Sequence, residues 1–166
     1  MFILVMGTTG AGKTTIGNLI ATRLGWTFLD ADDFHPPANI EKMKHGIPLT
    51  DADRAPWLDN IHSRLQQLAA ENKNAVLACS ALKQSYRDTL SAGLAMRTVF
   101  LRGSYEQMRK HILARHGHFA GESILAGQFA DLEEPSEALA LDVVGTPDEL
   151  ADRAVTGLGL APAVGD

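Results

Sequence analysis

Gly7-Thr8-Thr9-Gly10-Ala11-Gly12-Lys13-Thr14 is the stretch from which the chain is read. It meets G-x-x-x-x-G-K-[ST] at every fixed position. The apolar run Phe2-Ile3-Leu4-Val5-Met6 before it reads as a buried strand. After it, Ile16, Leu19, Ile20 and Leu24 recur at helical spacing, so a helix beginning near Lys13 is expected. Strand, glycine loop and helix together make a phosphate site: the glycines let backbone N–H groups turn inward around an anion. The helix adds its positive dipole end. Lys13 is expected to reach the β- and γ-phosphates of a nucleotide, and Thr14 to hold Mg²⁺ through its hydroxyl. The plainer reading is a glycine turn that merely joins strand to helix.

At 166 residues the chain is most simply one domain with a substantial core. Its formal net charge of −5 argues against a broad nucleic-acid surface, though not against a local basic pocket. The single cysteine, Cys79, excludes an intrachain disulfide and suits a reducing cytoplasm. The short apolar start runs directly into the glycine loop and reads as a strand, not a signal peptide. No apolar run is long enough to span a membrane.

Trp26-Thr27-Phe28-Leu29 reads as a second strand, ending in Asp30-Ala31-Asp32-Asp33-Phe34-His35. Ligand groups in open α/β sheets sit at the carboxyl ends of strands. Asp30 and Asp32 there are candidates to hold a metal and to accept a hydroxyl proton; an acidic helix cap is the alternative and suits Asp33. Pro36-Pro37 opens a helix that Gly46 can end. Asp51 reads as the N-cap of a long helix reaching about Glu71, with Leu58, Ile61, Leu65 and Leu68 on one stripe and Trp57 as core packing. Arg54 opposes the dipole at that helix start. An anionic substrate or a salt bridge to Asp51 or Asp53 would each explain it.

Ala75-Val76-Leu77-Ala78-Cys79 is a third, fully apolar strand. It ends in Cys79-Ser80, without the aspartate that many ATPases place there for Mg²⁺. The metal is therefore expected to rely on Thr14, phosphates, water and the acids after the second strand. Ser80 to Asp88 reads as continuing into a helix. Lys83 and Arg87, four apart, would share a face as an anion clamp or as a solvated face. Arg97 to Leu101 is a fourth strand. Helices from Ser104 and from Ser123 to about Leu132 flank the basic, glycine-bearing turn Arg115-His116-Gly117-His118-Phe119. They suggest a lid over about 104–132 that brings Arg115 to the phosphates. His118 alone reads as a helix-end residue. Leu139 to Val144 is a fifth strand, Asp148 to about Leu158 the last helix, and the tail from Ala161 is expected to fray.

Several blocks together resemble the P-loop gluconate kinases of the nucleoside-monophosphate-kinase-like fold. These are Gly7 to Thr14, Phe28 to Asp32, His35-Pro36, Asn39 to Met43, Gly46 to Leu49, Asp51 to Leu58, Cys79 to Lys83 with Tyr86-Arg87-Asp88, Gly117-His118-Phe119 and Gln128-Phe129. The resemblance implies an α/β fold, a five-stranded parallel sheet with helices on both faces and a helical lid. It also implies a homodimer acting on a small molecule, with no nucleic-acid or membrane partner. The implied activity is ATP- and Mg²⁺-dependent phosphorylation of D-gluconate at its 6-hydroxyl. Gly7, Thr8, Thr9, Gly10, Ala11, Gly12, Lys13, Thr14 and Thr15, with the lid Arg115, then match the nucleotide site. Asp32 matches the acid that orients the hydroxyl, and Asp30 with Thr14 the metal side. His35, Arg54, Lys83, Arg87 and His118 match the sugar-acid pocket, and adenine contacts are expected near Thr146-Pro147. Another small-molecule kinase of this fold, for shikimate, a nucleoside monophosphate or a different sugar acid, and a nucleotide-binding module without turnover are the competing readings.

Overall fold

A computed structural model describes residues 1–116 and 120–163, without the side chains of residues 115–121. Five strands form one parallel sheet in the order β2-β3-β1-β4-β5: β1 Phe2–Met6, β2 Thr27–Asp30, β3 Ala75–Ala78, β4 Met96–Arg102 and β5 Leu139–Asp142. The expected fold class is therefore observed. The first strand is central, pairing Val5 with Ala78 on one side and with Val99 on the other. Every β1 residue is buried, as its unbroken apolar run requires.

Strand alternation sorts the core into two layers. Ile3 and Val5 pack with α1 (Lys13–Leu24) and α7 (Pro147–Gly157) through Ile16, Ile20, Leu150 and Ala154. Phe2, Leu4 and Met6 pack with α3 (Asp51–Ala70) and α4 (Gln84–Ser91) through Ile61, Leu65, Tyr86 and Leu90. The expected apolar stripe of the long helix, with Trp57 in the core, is thus observed. Helices α5 (Tyr105–His116) and α6 (Ala120–Asp131) join the first layer through Met108, Ile112 and Leu125. The Arg109 guanidinium ties them together through Glu122 at 2.6 Å.

Four local expectations are corrected. Thr50, not Asp51, caps α3: its hydroxyl accepts from Asp53 N–H while the Asp53 carboxylate accepts from Thr50 N–H. Both residue types cap well, but only Thr50 has Asp three residues on in a closed box. Asp33 caps nothing; it lies inside a 3₁₀ turn, Ala31–Phe34, whose cap is Asp30. The helix after β3 starts at Gln84, because Ala81 takes φ +44° and Lys83 is extended. The tail is held as far as Ala163, whose N–H donates to Arg23 O at 2.7 Å. Gly25 ends α1 with a left-handed φ of 66°.

Helix α2 (Pro37–Lys44) is fastened to α3 by one carboxylate. Lys42 Nζ lies 2.8 and 2.9 Å from the Asp53 oxygens. Lys42 and the Thr50 N–H hold the Asp53 carboxyl down, from its ordinary 3.8 to about 2. A depressed folded value stabilises above the unfolded value and is lost as pH falls through the folded one. The stability difference between wild type and Asp53→Asn should therefore be constant above about pH 5 and close between about pH 4 and 2. Urea unfolding midpoints across that range check it.

Candidate active site

The loop between β1 and α1 is built to receive an anion. Gly12 stands at the N-cap of α1 in the left-handed region, φ +87°, with no side-chain cap and no acid in the first turn. Helices α3 and α7, by contrast, close their first turns with Thr50–Asp53 and Thr146–Glu149 boxes. A first turn with no side-chain cap and no acid of its own is the condition for phosphate binding at a helix start. A cavity of about 250 Å³ faces this loop, lined by Lys13, Thr14, Asp30, Asp32, Ser80 and Gln128 among others. Lys13 Nζ donates to Thr8 O at 3.0 Å, arching over the loop.

Asp30 joins this loop to the acid beyond it. Its Oδ2 accepts from the Thr14 hydroxyl at 2.8 Å, and its Oδ1 accepts from Asp32 N–H at 3.0 Å. The 3₁₀ turn thus presents the Asp32 carboxylate at the crevice mouth, where its side chain is 88 % exposed. Surrounding protein atoms and the Asp30 charge push its carboxyl upward, and His35 and Lys13 pull it back. Thr14 and Asp30 place two hard oxygen donors side by side beside the phosphate loop. Among the described residues no three His, Cys, Asp or Glu side chains converge. That donor set fits Mg²⁺, which keeps several waters and uses one or two protein oxygens plus phosphates.

Beyond Asp32 the wall turns basic and aromatic. The His35 ring stacks on Trp57 at 4.5 Å and 9°, and its Nε2 lies 3.9 Å from Asp32 Oδ1. Burial lowers the His35 pKa, Asp32 opposes that, and Arg54 reinforces it. Arg54 Nη1 donates to Tyr86 Oη at 3.2 Å and lies 3.8 Å from Asp51. Lys83 Nζ reaches Asp51 at 3.1 Å. Both cations stand 5.7 Å from the Tyr86 ring centroid, and the Tyr86 hydroxyl donates to Asp51. The hydrogen bonds from Tyr86 and Lys83 hold the Asp51 carboxyl below its usual range. Of the two explanations for Arg54, the ion pair with Asp51 is present, and it forms part of a larger cation cluster.

Arg87 departs from its expected place. It is 6 % exposed, its Nη1 donates to the carbonyls of Ala81 and Leu82 at 2.8 and 3.0 Å, and Nη2 donates to Gln84. It lines a separate cavity of about 210 Å³ with Gln84, Ser91 and Thr98. The i, i+4 clamp assumed that Lys83 lies inside the helix; Lys83 stands instead at the extended N-cap of α4, which sends the two cations apart. Gln128 and Tyr86 were matched in the sequence only as parts of blocks, with no role. Gln128 Oε1 accepts from Thr9 N–H at 2.6 Å, so α6 reaches the phosphate loop. His111 Nδ1 donates to Gly10 O at 2.9 Å from α5. An apolar recess of about 280 Å³ shares Gly10, Gly12 and Thr15 with the loop and extends to Val143 and Pro147. Arg115 keeps only its backbone among the described residues, and His118 lies outside them.

Residues 9–122 match the family described as shikimate kinase. The gluconokinase of Gluconobacter oxydans (strain 621H) is 47 % identical over 137 residues, covering 82 % of this chain and 77 % of its own length. The chain belongs to the gluconokinase family. A crystal structure of a gluconokinase from Sinorhizobium meliloti 1021 superposes with a TM-score of 0.85 at 42 % identity, covering 95 % of this chain and 90 % of that one. An APS kinase structure from Mycobacterium tuberculosis shares the fold at TM-score 0.66 and 20 % identity, covering 95 % and 96 %. Kinases of this fold are phosphotransferases, so the gluconokinase family places the crevice in an enzyme. No helix among the described residues is long and apolar enough to cross a membrane.

The Arg87 geometry yields a prediction opposite to that of a substrate ligand. Arg87→Ala removes three hydrogen bonds from a buried turn, each to a charged donor. It should lower unfolding stability by about 2–4 kcal/mol while KM for the phosphoryl acceptor stays within about twofold. Urea unfolding and initial-rate kinetics on the same preparation check both halves.

Proposed function

We propose that this enzyme transfers the γ-phosphoryl group of ATP to the 6-hydroxyl of D-gluconate, giving 6-phospho-D-gluconate and ADP. The observation that carries the reading is Asp32, held by Asp30 within the crevice of Lys13, with a cation cluster beyond it. The gluconokinase relatives support the substrate by name. The phosphoryl group bears spreading negative charge in a loose transition state, so catalysis is positioning plus charge stabilisation. Lys13 and the N-terminal end of α1 supply that stabilisation. Thr14 and Asp30 would hold Mg²⁺, which neutralises the phosphate oxygens when bound. Asp32 orients the 6-hydroxyl and takes its proton as the new P–O bond forms and the β,γ-bridging P–O bond breaks. Arg54 and Lys83 neutralise the substrate carboxylate at the far end, exchanging Asp51 for it.

The apolar recess bounded by Pro147 and Val143 is the proposed adenine site. Thr146 spends its hydroxyl on the α7 cap, so Pro147 is the contact of the expected pair. We assign α5 and α6 as the lid, with Arg115 and His118 in the phosphate and acceptor roles expected of them. A cytoplasmic homodimer belongs to the same reading. Ile40, Met43 and Ile47, each 41–50 % exposed within eight residues, form one apolar patch it could use. Light scattering checks the assembly.

Shikimate is the second acceptor worth testing, because the matched family is described by it and it too is a hydroxy acid. ADP release with gluconate, shikimate and glucose separates them; release stimulated by shikimate and not gluconate would overturn the reading. Asp32→Asn should lower kcat by about 10²–10⁴-fold with ATP affinity within about threefold. Arg54→Ala should raise KM for gluconate by at least about tenfold with a smaller change in kcat. Steady-state kinetics and nucleotide titration check these values.

A further inference from the structure

Asn39 sits in a sequence block whose purpose the reaction leaves open. It is 3 % exposed, on α2, and does not line the phosphate crevice. A buried amide must find partners for its polar atoms. Its Nδ2 donates to the Asp53 carbonyl at 2.9 Å, and the same nitrogen lies 3.4 Å from His35 Nδ1. A backbone carbonyl only accepts, so it decides that nitrogen, and not oxygen, is the end of the amide facing it. The second hydrogen of that nitrogen then faces His35 Nδ1, which can accept only if the ring proton is elsewhere. The ring plane is fixed as well, by the stack on Trp57, whose indole N–H donates to Ala31 O at 2.7 Å. His35 Nε2, 3.9 Å from Asp32 Oδ1, is too far for a direct hydrogen bond and close enough for one oxygen to touch both.

We propose that Asn39 is a positioning residue that ties His35 to the Asp53 carbonyl and so keeps the ring proton on Nε2, beside Asp32. This rests on the reading of Asp32 as the acid that orients the acceptor hydroxyl. With Nε2–H as donor, the hydroxyl oxygen receives one hydrogen bond and gives its own proton to Asp32, which aims a lone pair outward. With the other tautomer, Nε2 and Asp32 would both be acceptors competing for one proton. The charged groups facing the ring are Asp32 from the 3₁₀ turn and Arg54 from α3.

Long-range ¹H–¹⁵N spectra of the ligand-free protein test this, with the His35 signals identified by their loss in His35→Gln. Wild type should show a protonated Nε2 and a bare Nδ1 at neutral pH. Asn39→Asp places an acceptor against Nδ1, so His35 should carry a proton there and titrate about one unit higher or more. Asn39→Ala should give a mixture of tautomers. Both variants should lose about tenfold or more in kcat, with KM for gluconate within about threefold. A bare Nε2 in wild type overturns the proposal, and that spectrum needs no variant to fold. So does an unchanged His35 tautomer in folded variants, or a changed tautomer with full turnover. Asp32→Asn separates the underlying reading: if it keeps full turnover while the spectra behave as stated, the fault lies in the role of Asp32 and not in the tautomer.

Discussion

One carboxylate joins the two halves of this site. Asp30 gives one oxygen to the Thr14 hydroxyl, at the start of α1, and the other to the Asp32 N–H. The nucleotide side hangs from β1 and the acid side from β2, and the sheet order places β3 between them. Only a side chain that reaches across the end of β3 can connect the two. Asp30 pairs in register with Ala78, and the chain there continues through Ala78, Cys79 and Ser80, all small. The end of β3 carries only small, uncharged side chains beside this bridge. A carboxylate there would crowd the bridge and set a third negative charge beside Asp30 and Asp32, whose carboxyl Asp30 already pushes upward.

The acceptor side has its own anchor. The Asp53 side chain receives Lys42 and the Thr50 N–H, and its backbone carbonyl receives Asn39. Helix α2 is thereby fixed to the first turn of α3. The next residue, Arg54, leaves that anchor in the direction of Tyr86, where Lys83 arrives from the β3 side. Two like charges over one ring repel, and Asp51 offsets the repulsion in the resting cluster. Tyr86 and Lys83 keep that carboxylate ionised. Under the proposed reaction the incoming carboxylate replaces one that the protein already holds, so the cations need no rearrangement on binding.

The parts legible in the sequence were those with a local cause. The phosphate loop is a backbone device written in glycines, and the apolar runs of β1 and β3 announce central parallel strands. The parts that were not legible depend on one torsion or on distant partners. Asp51 and Thr50 are both good caps, and only the box closed by Asp53 decides between them. Lys83 and Arg87 carry helical spacing, yet Ala81 at φ +44° delays the helix and turns Arg87 back onto the carbonyls of that same turn. A left-handed alanine is a strained conformation, and the Arg87 guanidinium fastens that turn through the carbonyls of Ala81 and Leu82. Nothing in a spacing rule signals such a turn. Tyr86 and Gln128 needed contacts 35 and 119 residues away to acquire a role.

Two distant contacts tie the phosphate loop to α5 and α6. Gln128 from α6 takes the Thr9 N–H, and His111 from α5 donates to the carbonyl of Gly10, the next residue. Gly10 has φ +85°, and a Cβ there would lie 2.9 Å from the Met108 carbonyl. A side chain at this position would push α5 away from the loop and break the His111 contact with it. The His111 contact therefore depends on that glycine's close approach to α5. The Gln128 contact is neutral, and an anionic phosphate oxygen forms the stronger bond with an N–H. A phosphate oxygen at the loop would compete with Gln128 for the Thr9 N–H. The proposed lid helices thus reach the phosphate loop directly at Thr9 and Gly10, so a movement of α5 or α6 would be felt at the loop backbone.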